Sequence, residues 1–360
     1  MSRAQQLTSA AVALAGLALA AAACGDARLY VYDKPGPPPN CPPTMVGYAA
    51  VGGMDPDGGA LEPTTGGGDP SVAPRMTVTT VDALTSALQQ PDPLVIYLDG
   101  MLSPPAAVKV TVDKSTPGGN KTLIGVGDSS GLTGAGLDLS YASNVIVRNL
   151  KISKAHIGEG DAITLLASHH VWVDHCDLSS ARDDTTAGYD GLVDITHGSS
   201  YITVSWTVFH DHKDTSLVGH TNDPAQSMED AALSVTYHHN LFRNVDTGPR
   251  VRWGTAHLFS NHFQTVGIFG VASESQAAVL VDHNLFEDMS MPSMSITTQY
   301  EDPLPGTMTE TTNQFPPGVT PDIMLAFPPL TAPYGYTPDS VESVSTIVNS
   351  CAGTGKISFP

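Results

Sequence analysis

This sequence predicts an all-β chain wound into a parallel β-helix, and three observations predict it. The first is a repeat. Between residues 145 and 286 the chain writes six variants of one short, extended, β-branched phrase. They are VIVRNLKI (145–152), VWVDHCDL (171–178), ITVSWTVF (202–209), VTYHHNLF (235–242), AHLFSNHF (256–263) and VLVDHNLF (279–286). The second is a column. Their last residues, Ile152, Leu178, Phe209, Phe242, Phe263 and Phe286, are all large and apolar, at steps of 26, 31, 33, 21 and 23 residues. Units this short cannot bury their own apolar face, so they must stack and share one core. The third is the set of strand-like segments between the phrases: AITLL, LVDIT, SLVGH, PRVRW and GIFGV. Two or three short strands per unit, separated by turns and stacked in register, make a solenoid. The uneven steps place insertions where stacked turns can project a functional surface.

From the N-terminus, Arg3 precedes an apolar, Ala-rich run over residues 10–23 that ends at Cys24, Gly25 and Asp26. This pattern reads as a secretory signal peptide over residues 1–23. Cys24 after small residues is similar to the acylated first residue of a bacterial lipoprotein, although Ala21 replaces the usual Leu. Two fates stay open, a lipid anchor on the outer surface of a bacterial membrane or cleavage and release. Either takes the protein out of the cytosol. Residues 24–44 form a Pro-rich tether with no capacity for a core. A domain over residues 45–360 follows, Gly/Pro-rich at 52–74. Val81–Leu88, with Thr80 as N-cap, predicts a short helix that plugs one end of the solenoid. The strand-like segments LVIYLDG, VKVTV, KTLIGVG and NVIVRNLKI lead into the repeat, and the C-terminus predicts a loop and then a helix over 338–349. No later apolar run approaches the roughly 20 residues of a membrane span.

Four cysteines in an exported chain invite disulfide pairing. With Cys24 lipidated, one of Cys41, Cys176 and Cys351 is left unpaired. Cys176 lies inside a repeat phrase and suits a buried thiol; a Cys41–Cys351 bridge would tie the two tails. The balance of 16 basic to 36 acidic residues excludes nucleic acid as a natural partner. It also repels a polyanionic ligand, unless a cation sits between acidic protein and acidic ligand. An acidic surface that only maintains solubility is the other reading.

Chemistry concentrates between the phrases. Glu159 and Asp161 precede AITLL, and one unit later Asp190 and Asp194 flank LVDIT. Strands about 4.8 Å apart bring such residues onto one face. Four converging carboxylates suit a Ca²⁺ ion, or they are separate turn residues, which Asp favours anyway. Arg250 and Arg252 share a strand face by period 2. They either grip an anionic ligand or pair with local Asp residues. The His-rich phrases (His169, His170 and His175; His210 and His212; His238 and His239) read as a stacked polar column rather than a zinc site, because adjacent strand residues face opposite ways. No G-x-S-x-G elbow supports a Ser-His-Asp hydrolase.

The run WVDHCDLS…DGLVDITHGSSYITVSW…FHDH…LVGH…VTYHHNLF…PRVRWG resembles the pectate lyases of polysaccharide lyase family 1. VGYA, TTGG, NKTLIGVG, ASNVIVRNLKI and the closing PYGYTPDSVESV…AGTGKI are also similar, covering about residues 45–356. The resemblance implies a right-handed parallel β-helix and Ca²⁺-assisted β-elimination of de-esterified pectin by a monomer. It implies Glu159, Asp161, Asp190 and Asp194 as Ca²⁺ ligands and Arg252 as a binder of substrate. Two departures stand out. The lysine that contacts substrate carboxylate in the family is one residue early here, as Lys213, with Asp214 in its place. A one-residue shift on a strand reverses the face. The catalytic arginine of the family's R-x-P motif is missing from Asp246-Thr247-Gly248-Pro249, where Thr247 or a one-residue deletion stands in its place. A threonine cannot take up a proton at neutral pH, which leaves Arg250, Arg243 or Lys213 as candidate bases. A Ca²⁺-dependent pectate-binding protein without turnover is the alternative. A β-helix pectin hydrolase using Asp183 and Asp184 is a third reading.

Overall fold

Each repeat phrase is two strands rather than one. In the first, Ser143–Arg148 ends at a bend and Lys151–Ile157 continues in a different sheet. The computed structural model describes residues 41, 44–54, 59–111, 118–183, 188–295 and 304–358. The expected signal peptide, Cys24 and most of the tether lie outside these. Residues 38–360 form one unit. Three parallel sheets of ten, eight and eight strands run its length, and eight complete coils each contribute a strand to every sheet, with one further strand at each end of the first, giving a right-handed parallel β-helix. One short antiparallel pair, Gly53–Met54 with Ala60–Leu61, stands apart.

The bend explains the repeat. Asn149, His175, Trp206, His239, Ser260 and His283 occupy this corner, all at φ between 49° and 55°. Non-glycine residues seldom adopt this left-handed region. The next residue supplies compensation. Asn240, Asn261, Asn284 and Asn313 form a ladder down the corner. Asn261 Nδ2 donates to the Tyr237 carbonyl and to Asn284 Oδ1, both at 2.9 Å. Its own Oδ1 accepts from the backbone N–H of Asn240 at 2.9 Å and from Asn240 Nδ2 at 3.0 Å. Thus the backbone groups turned inward by the bend find partners on the next coil.

The predicted apolar column is in register. Ile152 pairs with Leu178, Leu178 with Phe209, and Phe209, Phe242, Phe263 and Phe286 follow one another. The phenylalanine rings stack at 4.6, 4.6 and 4.7 Å and lie within 8° of parallel. That spacing is the inter-strand distance itself, so side-chain stacking and backbone pairing agree.

Helix α1 (Val81–Leu88) forms as expected, its N-terminus capped where Thr80 Oγ1 accepts from the Ala83 N–H at 3.3 Å. Leu84, Ala87 and Leu88 enter the core. Helix α2 is Val341–Cys351, starting later than the sequence suggested. The reason is Asp339, whose N–H bonds Ser260 Oγ and whose carboxylate accepts from His239 Nε2. The segment GIFGV also differs: it straddles a turn between His262–Phe269 and Val271–Glu274. Cys41 and Cys351 form a disulfide, and Cys176 is a buried free thiol, pushed up to about 12 by burial.

Asn261→Ala would leave the Asn240 N–H and the Tyr237 carbonyl without their ladder partner. A loss of about 2–4 kcal/mol is expected in urea unfolding; a loss below about 1 kcal/mol would show that water replaces the ladder.

Candidate functional site

The outer face of the third sheet carries the acidic residues. Thr164 on Ile163–Leu166 lies opposite Asp194 on Val193–Thr196, with Asp161 and Asp190 in the turns just before these strands. Asp161 accepts from the Gly191 N–H at 2.9 Å and from Thr164 Oγ1 at 2.8 Å; Asp194 accepts from the Leu217 N–H at 3.0 Å. One oxygen from each of Asp161, Asp190 and Asp194 lies within 4.8 Å of the others. Glu159 is exposed and lines the same groove, but it is not in that trio. Gly160 permits the close turn: its φ is +94°, and a Cβ there would meet the Gly188 carbonyl at 2.7 Å.

Burial, and then the charges of Asp161, Asp190 and Asp214, hold the Asp194 carboxyl well above the usual range. Asp161 is also raised, by burial first and by Asp190 and Glu159, against the lowering hydrogen bonds of Gly191 and Thr164. Asp190 is raised by burial, then by Asp214 and Glu159. Carboxylates crowded in this way are relieved by a cation, and an all-oxygen set fits Ca²⁺. The groove around them has a volume of about 650 Å³. It is also lined by Lys109, which pairs with Asp138 at 3.2 Å, and by Tyr141, His197 and His220.

Arg250 and Arg252 share one face of the strand Arg250–Arg252, with Val251 buried between them, as period 2 required. Both meet Glu274 on the next coil. Arg250 places Nε and Nη2 at 2.8 Å from Glu274 Oε2, and Arg252 Nε lies 3.6 Å away. The carboxylate-pairing reading therefore describes this state, through a buried Glu rather than an Asp.

Lys213 is exposed and lines a second, smaller cavity with Arg182, Tyr189 and His212. Arg243 is exposed on Leu241–Thr247. Asp214 lies opposite Thr247, and Thr247 Oγ1 donates to Asp214 Oδ1 at 3.1 Å. The two positions where the resemblance expects cations therefore hold an acid and a hydroxyl bonded to each other. Asp183 is exposed, and Asp184 lies outside the described residues.

His175 and His239 join the polar stack expected of them, whereas His210 and His212, on a different sheet, meet the Asp177 carboxylate and the Asp190 carbonyl. Trp206 lies between His175 and His239, with ring centroids 5.8 and 4.1 Å away. Sequence reasoning passed over His197 and His220, because each ends a segment (LVDITH, SLVGH) read only for its strand and its acids. It also missed Glu274, whose place opposite Arg252 depends on the register of the following coil.

The sequence profile of the pectate lyase family matches residues 43–357. Pectate lyase A of Aspergillus niger is 41% identical over 212 residues, covering 59% of this chain and 63% of that protein. Pectate lyase B of Colletotrichum gloeosporioides is 43% identical over 207 residues, covering 57% of this chain and 60% of that one. The matched region thus spans less than two thirds of these relatives' length. Among solved structures, a Bacillus pectate lyase in complex with trigalacturonate superposes with a TM-score of 0.73 at 28% identity. It covers 88% of this chain and 100% of that one. Pectate lyase II of Xanthomonas campestris, at 24% identity and a TM-score of 0.69, shares the fold over 87% of this chain and 99% of its own. A profile that runs from the first residues of the described domain to its last coil tail, on a matching β-helix, gives the assignment: the chain belongs to the pectate lyase family.

Proposed function

We propose that this protein is a Ca²⁺-dependent pectate lyase that cleaves de-esterified polygalacturonate by β-elimination. The observation that carries this reading is the convergence of Asp161, Asp190 and Asp194 on the face of a pectate lyase family chain. Glu159, which lines the same groove, would complete the quartet. A bound Ca²⁺ would supply positive charge where negative charge develops on the substrate carboxylate. Arg252 would turn from Glu274 to meet a uronate, for which its planar fork is suited. The elimination removes the proton next to the carboxylate, forms a carbon–carbon double bond and expels the glycosidic oxygen. Arg250 is the first choice for the group that takes the proton, Lys213 the second and Arg243 the third. Arg250 shares the face of Arg252 but now spends two N–H groups on Glu274. Lower turnover than an enzyme with the arginine in place of Thr247 is the expected result.

The Asp214–Thr247 hydrogen bond favours a second reading, a non-catalytic Ca²⁺-dependent pectate binder. The hydrolase reading gains nothing from the exposed Asp183. The leader over residues 1–23 supports export, with the protein either released or anchored by lipid on Cys24, and the Cys41–Cys351 disulfide supports an oxidising compartment.

Incubation with polygalacturonate and Ca²⁺ should produce the ultraviolet absorbance of unsaturated ends, abolished by chelator. Ca²⁺-dependent retention on pectate gel without that absorbance would establish the binder instead. Reducing ends without absorbance would mean hydrolysis. Arg250→Ala with undiminished rate would remove Arg250 as the base.

Asp194→Asn relieves carboxylate repulsion, so in chelator this variant should melt at or above the parent. The parent should gain about 2.7 kcal/mol at 100 times its Ca²⁺ dissociation constant, and the variant little. An equal Ca²⁺ gain in both would exclude Asp194 as a ligand.

The double substitution Asp214→Lys with Thr247→Arg should raise the elimination rate by about 10²-fold or more, the contribution typical of a positioned proton acceptor. No gain in a folded, Ca²⁺-binding double variant would locate the deficit elsewhere.

A further inference from the structure

The groove extends beyond the carboxylates to a histidine pair that the proposed reaction does not use. His197 follows Val193–Thr196, and His220 follows Leu217–Val218 on the next coil. Their rings stack with centroids 3.9 Å apart and planes within 13°. Exposed Glu229, on the short 3-10 helix Met228–Ala232, brings a carboxylate to the pair. One ligand atom from each of the three lies within 4.8 Å of the others.

What lies behind the pair distinguishes it from an ordinary polar stack. Asp230, next to Glu229, is fully buried. Its carboxylate sits 2.7 Å from His220 Nδ1 and accepts the His220 backbone N–H at 3.0 Å and the Gly198 N–H at 2.9 Å. A carboxylate at Nδ1 holds the proton there and leaves the Nε2 lone pair for a metal. His197 Nδ1 is engaged by Thr196 Oγ1 at 3.1 Å. Neither Nε2 takes a hydrogen bond among the described residues. Two imidazoles, one carboxylate and a buried orienting acid are the parts of a nitrogen-rich metal site.

We propose that His197, His220 and Glu229 bind one divalent cation of the zinc class, with Asp230 as the positioning residue, at a site separate from the carboxylate centre. Imidazole nitrogens select zinc-class ions, whereas calcium takes oxygen ligands. The three side chains leave a fourth position for water or an anionic oxygen.

Equilibrium dialysis of the full chain against Zn²⁺ in saturating Ca²⁺ tests this. One Zn²⁺ per chain should be retained. His197→Ala and Glu229→Gln should each weaken retention at least about tenfold, and Asp230→Asn by about 10–100-fold. Asp161→Asn should keep Zn²⁺ while losing Ca²⁺. Circular dichroism confirms folding; Glu229→Gln, on an exposed side chain, serves if a histidine variant unfolds. Cobalt in place of zinc should give a visible band that disappears in Glu229→Gln. Zn²⁺ displaced by Ca²⁺, lost equally in Asp161→Asn, or retained undiminished in both His197→Ala and Glu229→Gln would overturn the proposal.

Discussion

Everything in this molecule depends on parallel strands held in register from coil to coil. A strand spacing near 4.8 Å is also a comfortable distance between stacked rings. The Phe209–Phe242–Phe263–Phe286 column therefore packs without departing from the backbone pairing. The asparagine ladder uses the same spacing for hydrogen bonds. The acidic face uses it against electrostatics: register delivers Asp194 beside Asp161 and Asp190, whatever their mutual repulsion. A solenoid can hold such charges together because its core, elsewhere on each coil, supplies the stability.

The scaffold was legible because its signal recurs. Six phrases with one apolar terminus place Ile152 to Phe286 in a column, and the structure pairs them so. The bend inside each phrase was not legible, since Asn149, His175 and Trp206 carry no glycine signal for a left-handed corner. The asparagines after it look like ordinary turn residues until their neighbours on adjacent coils are known. The limit is one of register: insertions between coils vary, so partners across coils cannot be counted off along the chain.

The candidate site shows the same division. Asp161, Asp190 and Asp194 were legible because they flank strands one unit apart. Glu274 was not, although it holds both Arg250 and Arg252. The Asp214–Thr247 bond joins two departures that the sequence presented separately. Across adjacent strands they form one local exchange, an acid and a hydroxyl in place of two cations. This places Asp214 where its charge adds to that of Asp190 and Asp194.

The C-terminal tail has a mechanical consequence. Solenoid coils couple mainly to nearest neighbours, so such folds can fray from an end. Here α2 packs on Val208, Leu241 and Leu285, and the tail then bonds Trp206 through Gly353, Asp128 through Thr354 and Asn149 through Gly355, running back across several coils. Cys351, at the end of α2, is covalently joined to Cys41, ahead of the first coil. The tail is a strap laid along the stack. No coil beneath it can peel away alone, which converts a zipper into a cooperative block.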